Sequence, residues 1–582
     1  MMKKIFIPIA VGYLSMLSAQ RFEEVGNLPF KHMYYTAAAV GDYNNDGTQD
    51  IFFTGAVDLT KNYEAETTKD ELYSNKNGVF ELAQEFPKEQ STHAGGVKFI
   101  DFDNDGLLDI VMNGMNYGDG AATAKHLRYK NNGNTFTLID ELPGKVNAVI
   151  GEALEVFDYN HDGLQDYALN GTENSHDEQV GAIDIYTNSQ KGFNKQANWI
   201  PNVPNGNFKV FDFDNDNELD IAISGTDAEG NASFKLYKNI GGQYTLHQEL
   251  SPMYEGKINY ADFNADGFQD IVVSGSNNDG DNYIAVYLND GQGRFQQSFI
   301  NKEDGLSASS VDVGDINFDG YYDFAVIGAN SDYNNTLNIF TYNPKTNDFV
   351  KLEDANLIPL GGNGGVQFID YNGDNQLDIL IHGLDLSNSK AIEGKIKLYQ
   401  NTSIENHIPT APNSLTSKVV GDKVLFEWSG ATDDKTPKTA FRYEISVGSQ
   451  PNKADIAKYE VTTPNWYLKK ENLPSKIYWS VRAIDSSKSY SLPSKQEEIS
   501  TLAVRNVASH RMDIYPNPVR DRLNIRAEEG VKAVYLYNAV GQRVAQQDNT
   551  STINVESLPN GIYLLEVIFQ NGEVAKQKII KN

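Results

Sequence analysis

One acidic stretch, Asp101-Phe102-Asp103-Asn104-Asp105-Gly106-Leu107-Leu108-Asp109-Ile110, constrains this chain more than any other feature, because its pattern recurs six more times. Oxygen-bearing side chains stand at relative positions 1, 3, 5 and 9, and a turn residue stands at position 6. This is the first part of a calcium-type loop, which aims alternate oxygens at one point. A single copy would read as a solvated hairpin. Seven copies with one pattern define an architecture.

The first aspartates of the copies fall at Asp42, Asp101, Asp158, Asp212, Asp262, Asp315 and Asp370, 50 to 59 residues apart. That period suits a four-stranded blade of a propeller with generous loops. In the second copy, Val97 to Ile100 is an apolar run that predicts a first strand, and Asp109 to Asn113 predicts its hairpin partner. Leu127 to Asn131 then predicts a third strand and Phe136 to Leu142 an outer one. The third-strand signature returns as Leu72-Tyr73-Ser74-Asn75, Ile185-Tyr186-Thr187-Asn188, Leu236-Tyr237-Lys238-Asn239, Val286-Tyr287-Leu288-Asn289, a looser Ile339 to Asn343, and Leu398-Tyr399-Gln400-Asn401. Outer strands open with Phe22, Phe80, Phe136, Phe193, Tyr244, Phe295 and Phe349, and nothing comparable follows Asn401. The stretch Arg21 to Leu28 is therefore expected to complete the last blade and close a seven-bladed ring, which removes the exposed sheet edges of an open array.

The proposed ligand sets are Asp42, Asn44, Asp46 and Asp50; Asp101, Asp103, Asp105 and Asp109; Asp158, Asn160, Asp162 and Asp166; Asp212, Asp214, Asp216 and Asp220; Asp262, Asn264, Asp266 and Asp270; Asp315, Asn317, Asp319 and Asp323; and Asp370, Asn372, Asp374 and Asp378. All are hard oxygen donors, to which the position-7 carbonyl adds another, and the position-9 aspartate can bind through both oxygens. Calcium fits such a flexible cage better than magnesium does. Position 6 needs a left-handed backbone, supplied by glycine in five loops and by Asn217 and Asn375 in the others. Up to seven calcium ions would move the formal charge from −30 to about −16. Most of these sites are expected to staple their hairpins.

Because every unit carries the same acids, they make a poor active site, which needs one asymmetric constellation. The histidines show no metal-ligand spacing, and His161, inside the third loop, reads as a solvated hairpin residue. No Gly-x-Ser-x-Gly elbow or phosphate-binding glycine loop is present. No catalytic residue and no organic cofactor is assigned.

The remaining composition bounds the setting. With 79 Asp and Glu against 49 Lys and Arg, a nucleic-acid partner is disfavoured on electrostatic grounds. The absence of cysteine removes disulfides, thiolate metal sites and cysteine nucleophiles. Residues 1–19 read as a secretory signal peptide, with Lys3 and Lys4 before an apolar run from Ile5 to Leu17 and then Ser18 and Ala19. No later stretch is long and apolar enough for a transmembrane segment.

On the repeated Asp-x-(Asp/Asn)-x-Asp-(Gly/Asn)-x-x-Asp loops, residues 20–405 resemble the FG-GAP/VCBS repeat proteins, whose propellers look like the head of integrin α subunits. The resemblance implies fold far better than function, since the family includes adhesins, lectin-like modules and enzyme-attached domains. After a polar linker, Val424 to Trp428, Tyr443 to Val447, Trp466 to Leu468 and Tyr478 to Ala483 are strand-like, and residues 406–503 resemble a fibronectin type III sandwich. That domain reads as a spacer that positions the propeller. Residues 511–582, with Ile514-Tyr515-Pro516-Asn517-Pro518, Val534 to Gly541, Leu558 to Leu564 and Lys576 to Ile580, resemble the C-terminal sorting domain of the type IX secretion system. This last resemblance implies recognition by the secretion machinery, export across the outer membrane, and release or surface attachment.

The fold class expected is therefore all-β, a seven-bladed β-propeller followed by two small β-sandwich domains. The function expected is a secreted or cell-surface, calcium-binding, non-enzymatic module for adhesion to a glycan or protein. Its ligand is expected on the variable loops opposite the acidic ones, which carry Tyr34, Tyr35, Tyr63, Tyr117, Trp199 and Tyr254. The alternative is a polysaccharide-degrading lyase or hydrolase, or its accessory subunit.

Overall fold

The computed structural model describes residues 22–582 apart from 58–67, 117–122, 144–153, 171–182, 190–191, 197–199, 201–205, 228, 354–356, 387–392, 404, 502–511, 528–529, 539–541 and 571–573. The expected signal peptide, Tyr63, Tyr117 and Trp199 lie outside the described residues. Among the described residues every regular element is a strand.

Residues 22–401 form seven four-stranded antiparallel sheets, one for each acidic loop. In the second repeat the strands are His93–Ile100, Asp109–Asn116, Thr123–Asn131 and Phe136–Pro143, paired in chain order. All eight residues of Asp109–Asn116 are buried, as befits a central strand covered on both faces, and its run Ile110-Val111-Met112 supplies the apolar surface. The outer strand Val79–Glu85 of the first repeat instead exposes most of its residues. The first strands of successive repeats are spatial neighbours, and Gly361–Ile369 of the last repeat lies beside Tyr34–Gly41 of the first, so the array closes on itself.

The strand that completes the last sheet comes from the start of the chain. Phe22–Glu24 pairs antiparallel with Glu393–Asn401, with Phe22 opposite Asn401. This is the register of Phe80 opposite Asn75 and Phe136 opposite Asn131. Adjacent sheets are joined by apolar clusters: Ala39, Phe52, Leu72, Ile110, Met112 and Leu127 join the first and second repeats. Across the closure, Phe53, Tyr73, Tyr371 and Leu398 do the same.

Residues 414–500 form two further sheets. Ser414–Val420, Lys423–Ser429 and Asn465–Lys469 make one; Ala457–Val461, Arg442–Gly448, Lys476–Ile484 and Glu497–Ser500 make the other. Alternating residues point between them, and Phe426, Trp428, Trp466 and Trp479 fill the gap. The ring and these sheets belong to one compact unit ending at Thr501.

The second unit also contains two sheets, Asp513–Tyr515, Arg522–Arg526 and Thr552–Asn554 in one, and Arg543–Asp548, Val531–Tyr537, Gly561–Phe569 and Val574–Lys581 in the other. Val519, Leu523, Val534, Leu565, Val567 and Ile579 form its core.

Candidate metal loops and the face they form

Each acidic loop is built by its own backbone. In the second, the Asp101 carboxylate accepts the N–H groups of Asp105 at 3.1 Å and Gly106 at 2.9 Å, and Asp105 accepts that of Leu107 at 2.9 Å. Asp109 is fully buried and accepts from Phe102 at 3.3 Å and from Asn131 of the third strand at 2.7 Å. The other loops repeat these bonds; Asp378, for example, accepts from Tyr371 at 3.3 Å and Asn401 at 2.8 Å. Both oxygens of the position-9 aspartate thus already hold backbone donors, each keeping a lone pair for another partner.

The left-handed backbone expected at position 6 is present, with φ near 89° at Gly106 and 64° at Asn217 and Asn375. Position 4 is left-handed as well, which the sequence reading missed: Asn45, Asn104 and Asn215 have φ between 54° and 59°. These asparagines latch neighbouring loops, donating to Gly106 O at 2.7 Å, Gly163 O at 3.0 Å and Gly267 O at 3.0 Å respectively. Their repetition at position 4 was the available signal.

A second missed function belongs to the third-strand asparagine. Asn131 Nδ2 donates to Leu108 O of its own loop at 3.0 Å and to Tyr43 O of the preceding loop at 2.8 Å. Asn289 and Asn401 bridge in the same way, and Asn75 reaches Tyr371 O across the closure at 2.6 Å. In the sixth repeat, the looser one, Tyr342 rather than Asn343 supplies the N–H to Asp323, at 2.9 Å.

Carboxylate oxygens of Asp101, Asp103 and Asp109 come within 4.8 Å of one another, as do those of Asp212, Asp214 and Asp220, and those of Asp370, Asp374 and Asp378. Among the described residues, Asp42, Asp46 and Asp50 and the acids of the third, fifth and sixth loops do not bring three carboxylates that close. In those four loops Asn44, Asn160, Asn264 and Asn317 each accept the N–H of the position-5 aspartate at 3.0 Å, that is of Asp46, Asp162, Asp266 and Asp319. Burial pushes Asp101 up to about 6, Asp158, Asp212 and Asp262 to about 7, and Asp50 and Asp109 also to about 7. Asp220 and Asp378 reach about 8, and Asp166 about 9, again through burial first. Asp270 and Asp323 are raised well above the usual carboxylate range for the same reason. Buried, mutually repelling hard oxygens of this kind fit a divalent cation with oxygen preference.

The acidic face is covered. Sheets 414–500 dock on it, and six of the seven loops touch them. Asn104 Nδ2 donates to Ile456 O at 2.7 Å, Lys469 N–H to His161 O at 2.8 Å, and Asn217 Nδ2 to Asn465 Oδ1 at 2.7 Å. Thr439 Oγ1 donates to Ala265 O at 2.6 Å, Ser486 Oγ to Asp315 Oδ2 at 3.0 Å, and Ser489 Oγ to Asn375 O at 3.3 Å. His161 is not solvated: it is buried, its ring 4.2 Å from that of Tyr467, and burial pushes it down to about 3. Lys488, on the hairpin after Ile484, reaches past the loops to Asp312 of the first strand Ser307–Gly314 at 2.9 Å. A cavity of about 640 Å³ remains under the dock, bordered by Asp42, Gln49, Gln165, Lys458, Arg482 and Tyr490 among others.

On the opposite side the expected aromatic rim is partly packed. Tyr34 is buried against Tyr35, their rings 5.3 Å apart, and Tyr35 and Tyr254 are half-buried.

Two family models match this architecture. Residues 42–112 and 262–326 match the FG-GAP-like repeat, and residues 513–582 match the secretion system C-terminal sorting domain. The chain is thus an all-β protein with FG-GAP-like repeats that type IX secretion exports to the cell surface or beyond it. Among the described residues no helix is long and apolar enough to cross a membrane. Among individual proteins, beta-agarase D of Zobellia galactanivorans is 32% identical over 106 residues, a span of 18% of this chain and 22% of that protein. Of solved structures, AofleA from Arthrobotrys oligospora is 13% identical, covering 56% of this chain and 87% of its own, with a TM-score of 0.32. The Aleuria aurantia lectin, a six-bladed β-propeller that recognises fucose, is 10% identical, covering 56% and 96%, with a TM-score of 0.34.

Proposed function

We propose that residues 22–401 are a seven-bladed, calcium-loaded β-propeller, capped on its metal face by a fibronectin type III-like sandwich, and that the protein is a non-enzymatic adhesion or ligand-binding module for a glycan or protein. The observation that carries this reading is the use of the acids. All seven sets serve the same hairpin in the same way, and the sandwich covers the face where they emerge. Their carboxylates therefore support the scaffold, and the free, variable face is left for recognition. Calcium binding to the native state alone stabilises by mass action.

A second reading, a polysaccharide-degrading enzyme or its accessory subunit, is favoured by the partial match to an agarase. One experiment addresses both: a glycan and protein binding array with calcium and with chelator, run beside a turnover assay on agar and other algal polysaccharides. Saturable binding without turnover is the expected result. Turnover abolished by one substitution on the variable face would overturn the adhesion reading.

A further inference from the structure

The seven loops are not equivalent in charge. Position 3 is asparagine in five and aspartate in two, Asp103 and Asp214. The residue before the third-strand N–H that holds the position-9 aspartate is Ser74, Thr187, Leu288, Thr341 and Gln400 in the five, and Lys130 and Lys238 in the two. An extra carboxylate and a lysine occur together in both cases and separately in none.

The geometry explains the pairing. Lys130 Nζ lies 2.8 Å from Asp103 Oδ1, 2.7 Å from Asp105 Oδ2 and 3.3 Å from Asp109 Oδ1. Lys238 Nζ bonds Asp214 Oδ2 and lies 3.1 Å from Asp216 Oδ2. In three of the other loops the position-3 carboxamide donates to the same Oδ2 of the position-5 aspartate: Asn160 to Asp162 at 3.0 Å, Asn264 to Asp266 at 2.9 Å and Asn372 to Asp374 at 2.9 Å. Replacing asparagine by aspartate removes that donor and adds a negative charge; the lysine supplies a donor in its place and offsets the charge. Its backbone is fixed, since the next residue, Asn131 or Asn239, donates its N–H to Asp109 at 2.7 Å or to Asp220 at 2.8 Å.

We propose that Lys130 and Lys238 are tethered cations that compete with a divalent ion for the carboxylates of the second and fourth loops, making these the weaker metal sites of the ring. This rests on the metal reading of the loops. Two positive groups drawn to one carboxylate set repel each other, and a lysine that must leave Asp103, Asp105 and Asp109 opposes ion entry. The ring thereby holds two classes of site, and the weaker pair empties first as calcium falls.

The test is calcium titration calorimetry on the full chain, comparing wild type with K130M, K238M, the double variant and a control, K345M, on an exposed turn. The expected result is that each of the first two substitutions moves one site from the weak to the tight class, with affinity raised at least tenfold, while K345M changes nothing. Without calcium, K130M is expected to melt lower than wild type, because Asp103, Asp105 and Asp109 lose their internal cation, and calcium is expected to remove the difference. Should K130M fail to fold without metal, D103N/K130M restores the asparagine pattern and is expected to fold and to bind as tightly as the other five loops. Calcium binding with unchanged affinities in K130M and K238M would overturn the lysine role and leave the metal reading standing. No calcium binding to any of these proteins would overturn both.

Discussion

At the scale of single residues, the fold depends on side chains that the repeat signature displayed without explaining. Asn75 is fully buried and donates to Gln49 O at 2.9 Å and Tyr371 O at 2.6 Å, joining the first loop to the last. N75A would strand two carbonyls and is expected to cost about 1–3 kcal/mol in chemical denaturation. N343A should cost little, since Tyr342 has taken that register and Asn343 only caps a turn through the N–H of Lys345 at 3.0 Å. The aspartates give a pH prediction. Burial raises Asp109 to about 7 and Asp220 to about 8, above the ordinary 3.8, so the metal-free native state holds protons that the unfolded chain has released. Metal-free stability should therefore be greatest at low pH and fall as pH rises from about 4 towards 8. With calcium the ions replace those protons, and the stabilisation by calcium should grow over the same interval. Melting curves at pH 5 and pH 8, with calcium and with chelator, measure both slopes; a metal-free protein more stable at pH 8 than at pH 5 would refute the assignment.

At the scale of elements, the strands were legible because apolar periodicity and the loop signature repeat with them. Val97 to Ile100 and Leu127 to Asn131 fall inside the observed His93–Ile100 and Thr123–Asn131. The docking of sheets 414–500 was not legible, for a physical reason. Many of its contacts use backbone groups and small polar side chains, such as Ile456 O, Lys469 N, Thr439 and Ser486, which look like ordinary loop residues in sequence. His161 was misread for the same cause, its neighbour Tyr467 lying some three hundred residues away. Two glycines of equal conformation separate docking from local strain. Gly106 and Gly163 both have φ near 89°, but a Cβ on Gly106 meets nothing within 4 Å, whereas one on Gly163 falls 2.6 Å from Ile456 O. G106A should lose about 1–2 kcal/mol from backbone strain. G163A should lose more and, unlike G106A, should expose the 402–413 connection to limited proteolysis. Equal cleavage of the two variants would argue against docking of sheets 414–500.

At the scale of the whole molecule, three residues from the start of the chain complete the last sheet of the ring. Phe22–Glu24 is the only strand that covers the outer edge of Glu393–Asn401 among the described residues, and it adds Glu24, which forms an ion pair with Lys397. Phe22 packs with Ile379, Ile381 and Tyr399 and is 7% exposed. Removing residues 20–24 would give up about 1.5–3 kcal/mol for the phenyl ring alone, together with the strand pairing. It would also leave the third strand of the last sheet with unpaired N–H and C=O groups, a template for a second copy. The truncated chain is therefore expected to melt several degrees lower and to self-associate more strongly with rising concentration in sedimentation experiments than the intact chain. Adding back a peptide spanning residues 20–24 should restore both properties, because the edge accepts a strand in this register whether or not it is covalently joined. F22A in the intact chain separates the two effects: it should lower the melting temperature and leave the association state unchanged, since the strand still covers the edge. A truncated protein as stable as the intact one, with the same association state, would mean that the remaining strands and the docked sheets 414–500 hold the ring without Phe22–Glu24.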